Sequence, residues 1–167
     1  MSKSKKIAIC PGSFDPPTEG HINIVQRGLE LFETVIVAVA VNSSKETTFS
    51  PEERLSMLKE LFHGQKGVQV DMFRDKLLVE YARSKKAAVI LRGLRNVSDY
   101  EYEFQMALAN KTLAPEIETI FMMTESQYSH LSSSVLKEII YLGGSGKGMI
   151  HPLVEERLKK KLKKVKI

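Results

Sequence analysis

Short apolar runs alternate with longer amphipathic stretches along most of the chain. The runs at 7–10, 35–41, 68–73, 88–91 and 120–123 predict strands; the stretches at 22–32, 52–62, 77–85, 98–113 and 134–142 predict helices. Strands and helices that alternate in this way predict βαβ crossovers and a parallel sheet. Val35-Ile36-Val37-Ala38-Val39-Ala40-Val41 is β-branched and apolar on both faces, as a central strand covered by helices on each side must be. Ser50-Pro51-Glu52-Glu53 reads as a helix start, with Ser50 as N-cap, Pro51 at the first helical position and Glu53 closing a capping box. A further helix is expected at about 152–165, with Leu153, Val154, Leu158 and Leu162 as its buried stripe. No repeat, low-complexity linker or shift of composition divides the 167 residues. The expectation is therefore an α/β protein, a single doubly wound, Rossmann-like domain over 1–167 with a five-stranded parallel sheet flanked by helices.

Charge changes the picture less than its total suggests. The net charge is +5, but seven basic residues and no acidic one lie between Arg157 and Ile167, so residues 1–156 carry −2. The body is not basic, and the tail reads as the solvated end of a helix rather than a nucleic-acid or membrane contact. The single cysteine, Cys10, has no partner for an internal disulfide and ends an apolar run, where it packs as a small apolar side chain. No apolar run approaches the ~18 residues that cross a bilayer, and the basic N-terminus leads into no signal-type apolar region. A soluble, cytoplasmic protein is expected, without nucleic-acid or membrane partners.

The candidate chemistry begins in Pro11-Gly12-Ser13-Phe14-Asp15-Pro16-Pro17-Thr18-Glu19-Gly20-His21, which joins the first strand to the first helix. Gly12 and Gly20 allow close backbone approach, Ser13 offers a hydroxyl, and His21 stands where free amides and the helix dipole favour negative charge. Ligands of doubly wound folds collect at the carboxyl ends of the strands. Lys45 follows the second expected strand, Arg92-Gly93-Leu94-Arg95 the fourth, and Tyr128-Ser129-His130-Leu131-Ser132-Ser133-Ser134 the fifth. Taken singly, the cations read as solvated charges, Ser132 as an N-cap and His21 as a helix-surface histidine. Taken together they gather cations, hydroxyls and helix N-termini on one face, which suits a polyphosphate attacked in line at its α-phosphorus. A phosphate monoester with a second pKa near ~6 is largely dianionic at neutral pH and needs no general base. No cluster of Asp, Glu, His or Cys has the spacing of a metal cage.

Thr18-Glu19-Gly20-His21 and Leu131-Ser132-Ser133-Ser134-Val135-Leu136-Lys137 resemble the T/HxGH and SSS-type signatures of the nucleotidyltransferase superfamily. From Lys6 to about Leu158 the chain resembles the bacterial phosphopantetheine adenylyltransferases, through PGSFDPPTEGH, NSSKETTFSPEER, ILRGLR, DYEYEFQMALAN and LSSSVLKE. That resemblance implies transfer of the adenylyl group of ATP to 4′-phosphopantetheine, giving dephospho-coenzyme A and pyrophosphate in coenzyme A biosynthesis. It implies that Ser13 and Phe14 contact ATP, that Ser13 also reaches the acceptor phosphate, and that His21 binds the phosphates and stabilises the transition state. Lys45 and Arg92 would hold the acceptor phosphate, and backbone near Leu78 its amide arm. One extra residue between Asp75 and Tyr81, relative to the usual pattern, leaves Leu77 as an alternative to Leu78. The ATP would lie against Gly93, Leu94, Arg95, Glu103 and the segment 128–134. By the residues alone, Glu103 reads as helix surface and Leu78 as core. Ser13 keeps the hydroxyl of the family's more frequent Thr, while Thr18 in place of a superfamily histidine leaves His21 with more of the catalytic work. The family further implies Mg²⁺ carried by the ATP phosphates and a homo-oligomer, commonly a hexamer.

Two other functions stay open at this point. One is a related nucleotidyltransferase that acts on nicotinamide mononucleotide, or on a polyol phosphate with CTP. The other is a noncatalytic nucleotide-binding or RNA-associated module that uses the basic tail.

Overall fold

The computed structural model describes residues 7–162, and its five strands pair in parallel throughout. They are β1 (Ile7–Gly12), β2 (Thr34–Val41), β3 (Val68–Arg74), β4 (Val89–Leu94) and β5 (Glu118–Met123), in the spatial order β3-β2-β1-β4-β5. Side chains alternate across a strand, and β2 shows the result. Val35, Val37 and Val39 face Ile24, Val25 and Leu58, whereas Ile36 and Ala38 face Val79 and Ala82 on the opposite side. The helices supplying those partners are α1 (Glu19–Leu31) and α2 (Pro51–Leu61) on one face and α3 (Leu78–Ser84) on the other, where α4 (Val97–Leu113) also packs. Burying an aliphatic side chain contributes ~1.5–3 kcal/mol, so the five consecutive buried residues 35–39 make β2 the anchor of both core layers.

The chain moves outward from β1 through β2 to β3, then crosses back to place β4 on the other side of β1. That reversal leaves a crevice at the carboxyl ends of β1 and β4. A third apolar cluster joins α2 to α5 (Ser133–Tyr141) and α6 (Pro152–Lys161), with Phe49, Met57, Leu136, Ile140, Val154 and Leu158 at its centre. The cluster holds the 42–50 loop and the start of α5 over the crevice.

The expected elements are all present, but most ends shift by one to three residues; β1 runs on to Gly12, so Pro11 and Gly12 are strand residues, and three further shifts matter. α1 begins at Glu19 because Thr18 caps it, so His21 sits at the third helical position. β4 continues to Leu94 because Arg92, Gly93 and Leu94 pair in register with Phe121, Met122 and Met123; they are strand residues, not a loop. α6 ends at Lys161, and residues 163–165 of the expected helix lie outside the described residues. Its basic side chains are matched by acids: Arg157 bonds Glu60, Lys161 bonds Glu53, and Lys159 and Lys160 pair with Glu155 and Glu156. Among the described residues, no helix is long and apolar enough to cross a membrane.

Candidate active site

Two adjoining cavities, of about 500 and 550 Å³, open at the crevice. Pro11, Gly12, Ser13, Lys45, Thr47, Arg92 and Glu103 line both, and so form the seam between them. Gly12 is required there by close approach: a Cβ on it would stand 2.9 Å from the Phe14 ring, which is itself 2% exposed and tucked beneath the loop. Gly93 is similarly confined, since a Cβ would lie 3.0 Å from Ile24.

His21 is set by its neighbours. The Thr18 backbone amide donates to His21 Nδ1 at 3.0 Å, and the Thr18 hydroxyl lies 2.9 Å from the same nitrogen. A backbone amide can only donate, so Nδ1 is the acceptor and Nε2 carries the proton. Burial, then Arg95 and Arg92, push the His21 pKa down to about 4, which keeps the ring neutral at physiological pH. The Phe14 ring packs edge-on against it at 5.1 Å. The outcome is a fixed, uncharged N–H donor on the cavity wall.

The cations are arranged with equal economy. Glu103 grips Arg92 through both carboxylate oxygens, with Nε to Oε2 at 2.7 Å, while Arg92 Nη1 donates to the Pro11 carbonyl at 2.6 Å. Burial works against the Arg92 charge, yet the Glu103 carboxylate raises its pKa above the ordinary arginine value. Arg95 is held by both oxygens of Asp99, at 2.9 and 3.0 Å, and reaches the Leu131 carbonyl at 2.9 Å. Lys137 lies 3.1 Å from Asp15. Among the described residues, Lys45 is the one cation lining the first cavity that has no carboxylate partner, and it is exposed. Ser132 caps α5 by accepting from the Val135 amide at 3.1 Å. The amides of Ser133 and Ser134 are left without intrahelical acceptors, facing an anion's preferred end of the helix.

The first cavity brings together Ser13, Phe14, His21, Lys45, Arg92, Gly93, Arg95, Glu103, Tyr128, Leu131, Ser132, Ser133 and Ser134. Leu94, Ser129 and His130 line neither cavity: Leu94 is buried, Ser129 bonds the Ser126 carbonyl, and His130 is exposed. Leu77 and Leu78 both line the second cavity, beside Tyr102, Met106 and Asn110. Leu78 also packs against the core, as the residues alone suggest. Glu103 is not helix surface; its side chain is 12% exposed and turned onto Arg92. Sequence reasoning passed over Asp15, Arg54 and Lys137, whose partners lie 33 to 122 residues away. Among the described residues no group of three or more metal-ligating side chains could hold an ion.

Comparison with known proteins decides the family. The cytidylyltransferase-like family model matches residues 9–139. The phosphopantetheine adenylyltransferase of Caldanaerobacter subterraneus subsp. tengcongensis is 53% identical over 159 residues, covering 95% of this chain and 99% of that one. That of Geotalea daltonii is 50% identical, covering 92% and 94%. The chain belongs to the phosphopantetheine adenylyltransferase family. Solved structures extend the likeness in fold to more distant enzymes. Nicotinic acid mononucleotide adenylyltransferase of Plasmodium falciparum, complexed with NaAD, superposes with a TM-score of 0.67 at 16% identity, covering 94% of this chain and 96% of that one. A bifunctional NMN adenylyltransferase/ADP ribose pyrophosphatase of Francisella tularensis, complexed with AMP and a Mn ion, gives 0.67 at 14% identity and covers 95% and 52%. The phosphopantetheine adenylyltransferase signature segments quoted from the sequence all fall around the two cavities.

Proposed function

We propose that this protein transfers the adenylyl group of ATP to 4′-phosphopantetheine, releasing pyrophosphate and forming dephospho-coenzyme A. The observation that carries the reading is the seam: two cavities meet at Ser13, Lys45 and Arg92, in a chain half identical to phosphopantetheine adenylyltransferases. ATP occupies the cavity walled by His21, Gly93, Arg95 and Ser132–134, with Phe14, Glu103, Tyr128 and Leu131 completing its lining. The acceptor's arm occupies the cavity walled by Leu77, Leu78 and Met106. Its terminal phosphate meets Lys45 and Arg92 at the junction, within reach of the α-phosphorus.

Attack is direct and in line, with no covalent enzyme intermediate. The nucleophile is an acceptor phosphate oxygen; its bond to the α-phosphorus forms as the bond to the pyrophosphate oxygen breaks. His21 donates from Nε2 to a non-bridging oxygen as charge gathers there, an interaction strongest in the transition state. Lys45 and Arg92 offset the repulsion between two anions brought together. Glu103 acts through Arg92 and belongs to the site for that reason. Mg²⁺ would come with the triphosphate and offset its charge; Asp15, Asp99 and Glu103 are already bonded to cations, so among the described carboxylates lining the first cavity the exposed Glu46 is the one left to contact it.

The whole chain serves as one nucleotidyltransferase domain, in which α6 supports the loops of the site. Assembly into a homo-oligomer, a hexamer by family, is supported by α4, which exposes Val97, Tyr100, Phe104 and Leu108 along one stripe. A cytoplasmic setting suits the lone, buried Cys10. The test is pyrophosphate release with each pairing of ATP or CTP with 4′-phosphopantetheine, nicotinamide mononucleotide or a polyol phosphate. Release with ATP and 4′-phosphopantetheine supports the reading; activity with CTP and none with 4′-phosphopantetheine overturns it.

A further inference from the structure

The seam lysine is carried on a loop with few ties of its own. Asn42 organises its start, accepting from the Ser44 amide at 2.9 Å and from the Ser44 hydroxyl at 2.7 Å. Lys45 and Glu46 are exposed and have no side-chain partner among the described residues. The loop's far end is fixed by a carboxylate from another part of the chain. Asp15 Oδ2 accepts from the Thr48 amide and Oδ1 from the Phe49 amide, each at 2.8 Å.

Asp15 is 6% exposed and stands between Ser13 and the helix that bears His21. Lys137 of α5 lies 3.1 Å from Oδ2, and Arg54 of α2 donates to the neighbouring Ser13 carbonyl at 2.8 Å. One buried carboxylate therefore joins the first loop, the lysine loop and α5, all three of which line the first cavity. Keeping a charge at so low an exposure is costly unless every lone pair is used. Here both oxygens are engaged and a cation is in contact. An apolar side chain could fill the volume but could not accept two adjacent backbone amides.

We propose that Asp15 is a positioning residue for the transfer reaction: its carboxylate fixes the 42–49 loop so that Lys45 meets the acceptor phosphate at the seam. The proposal rests on the function assigned above to Lys45. Asp15 acts through the two amides three and four residues beyond Lys45.

The experiment is a double-mutant cycle between Asp15→Asn and Lys45→Ala, with kinetics in both substrates. Asparagine keeps one acceptor oxygen but turns an NH₂ group toward a backbone donor and Lys137. In the otherwise unchanged enzyme, Asp15→Asn is expected to lower kcat/KM for the phosphorylated acceptor on the order of 10- to 100-fold, as loss of a charged hydrogen bond does, with the ATP KM changed by less than about threefold. In the Lys45→Ala background the same substitution is expected to cost less than about threefold, because the group it positions is gone. Equal losses in both backgrounds, or an equal loss in both substrates, overturn the proposal.

Should Asp15→Asn fail to fold, Phe49→Leu loosens the same loop end from its apolar side, and the same selective, non-additive loss is expected. Amide hydrogen exchange separates this proposal from the assigned function. If the unmodified protein releases no pyrophosphate with ATP and 4′-phosphopantetheine, that function falls. The latch is then decided by the Thr48 and Phe49 amides, whose exchange should quicken at least about tenfold in Asp15→Asn, or in Phe49→Leu if Asp15→Asn does not fold; unchanged rates overturn it.

Discussion

At the scale of single residues the site depends on a proton held in one place. In the proposed reaction His21→Ala removes a donor that works chiefly in the transition state, so kcat should fall on the order of 10²- to 10³-fold while ATP affinity, measured by calorimetry, changes little. The pH profile follows from the same ring. With a pKa near 4, His21 does not titrate between pH 8 and 5, so the acid limb of kcat/KM for the acceptor belongs to the acceptor's phosphate, near ~6. Stability carries its own signature. An unfolded histidine takes up a proton near ~6.5, whereas the folded ring resists until about 4. The stabilisation tied to neutral His21 is therefore complete above pH 6.5 and is lost progressively as pH falls toward 4. Urea unfolding at pH 7, 5.5 and 4 should show that decline in the parent protein and a smaller one in His21→Gln. Neutral His21 was not legible in the sequence, because its causes, burial first and then Arg95 and Arg92 from the other half of the chain, are tertiary ones.

Among the elements, those governed by local chemistry were the most legible. The capping box at Ser50 appears as read: Glu53 Oε2 accepts from the Ser50 amide at 2.7 Å, and Ser50 Oγ accepts from the Glu53 amide at 3.1 Å. Ser50→Ala should cost ~1 kcal/mol, seen as a Tm lower by ~2–4 °C for a chain of this size. The end of β4 was not legible, since Arg92 and Gly93 interrupt the apolar run and resemble a turn. Pairing with β5 overrides that local preference, and a strand residue holds its arginine more firmly than a loop would. Glu103 escaped notice for a related reason. Among the described residues of α4 none is fully buried, so helical periodicity could not tell the inward carboxylate from its exposed neighbours.

Across the whole molecule, the basic tail and the apolar surface have separate consequences. Leu158 is fully buried and Arg157 and Lys161 bridge to α2, so cutting after Glu156 would damage the core that supports the lysine loop. Removing only residues 163–167 should leave pyrophosphate release unchanged, whereas loss of turnover would give the tail a role in the reaction. Phe104→Glu, on the exposed stripe of α4, should shift sedimentation toward smaller species if that stripe packs between copies. The sheet order was legible only as a class. Periodicity gives strands and their parallel pairing, but which strand lies beside β1 depends on crossovers that no local window contains.

The hydrogen bond from the Thr18 amide to His21 Nδ1 has a bearing on direction as well as rate. An imidazole that stays neutral with its proton on Nε2 offers the same hydrogen bond to one transition state approached from either side. Such a site should also run in reverse, incorporating labelled pyrophosphate into ATP when the nucleotide product is supplied, with the balance of the two directions set by the reaction's equilibrium and not by the histidine.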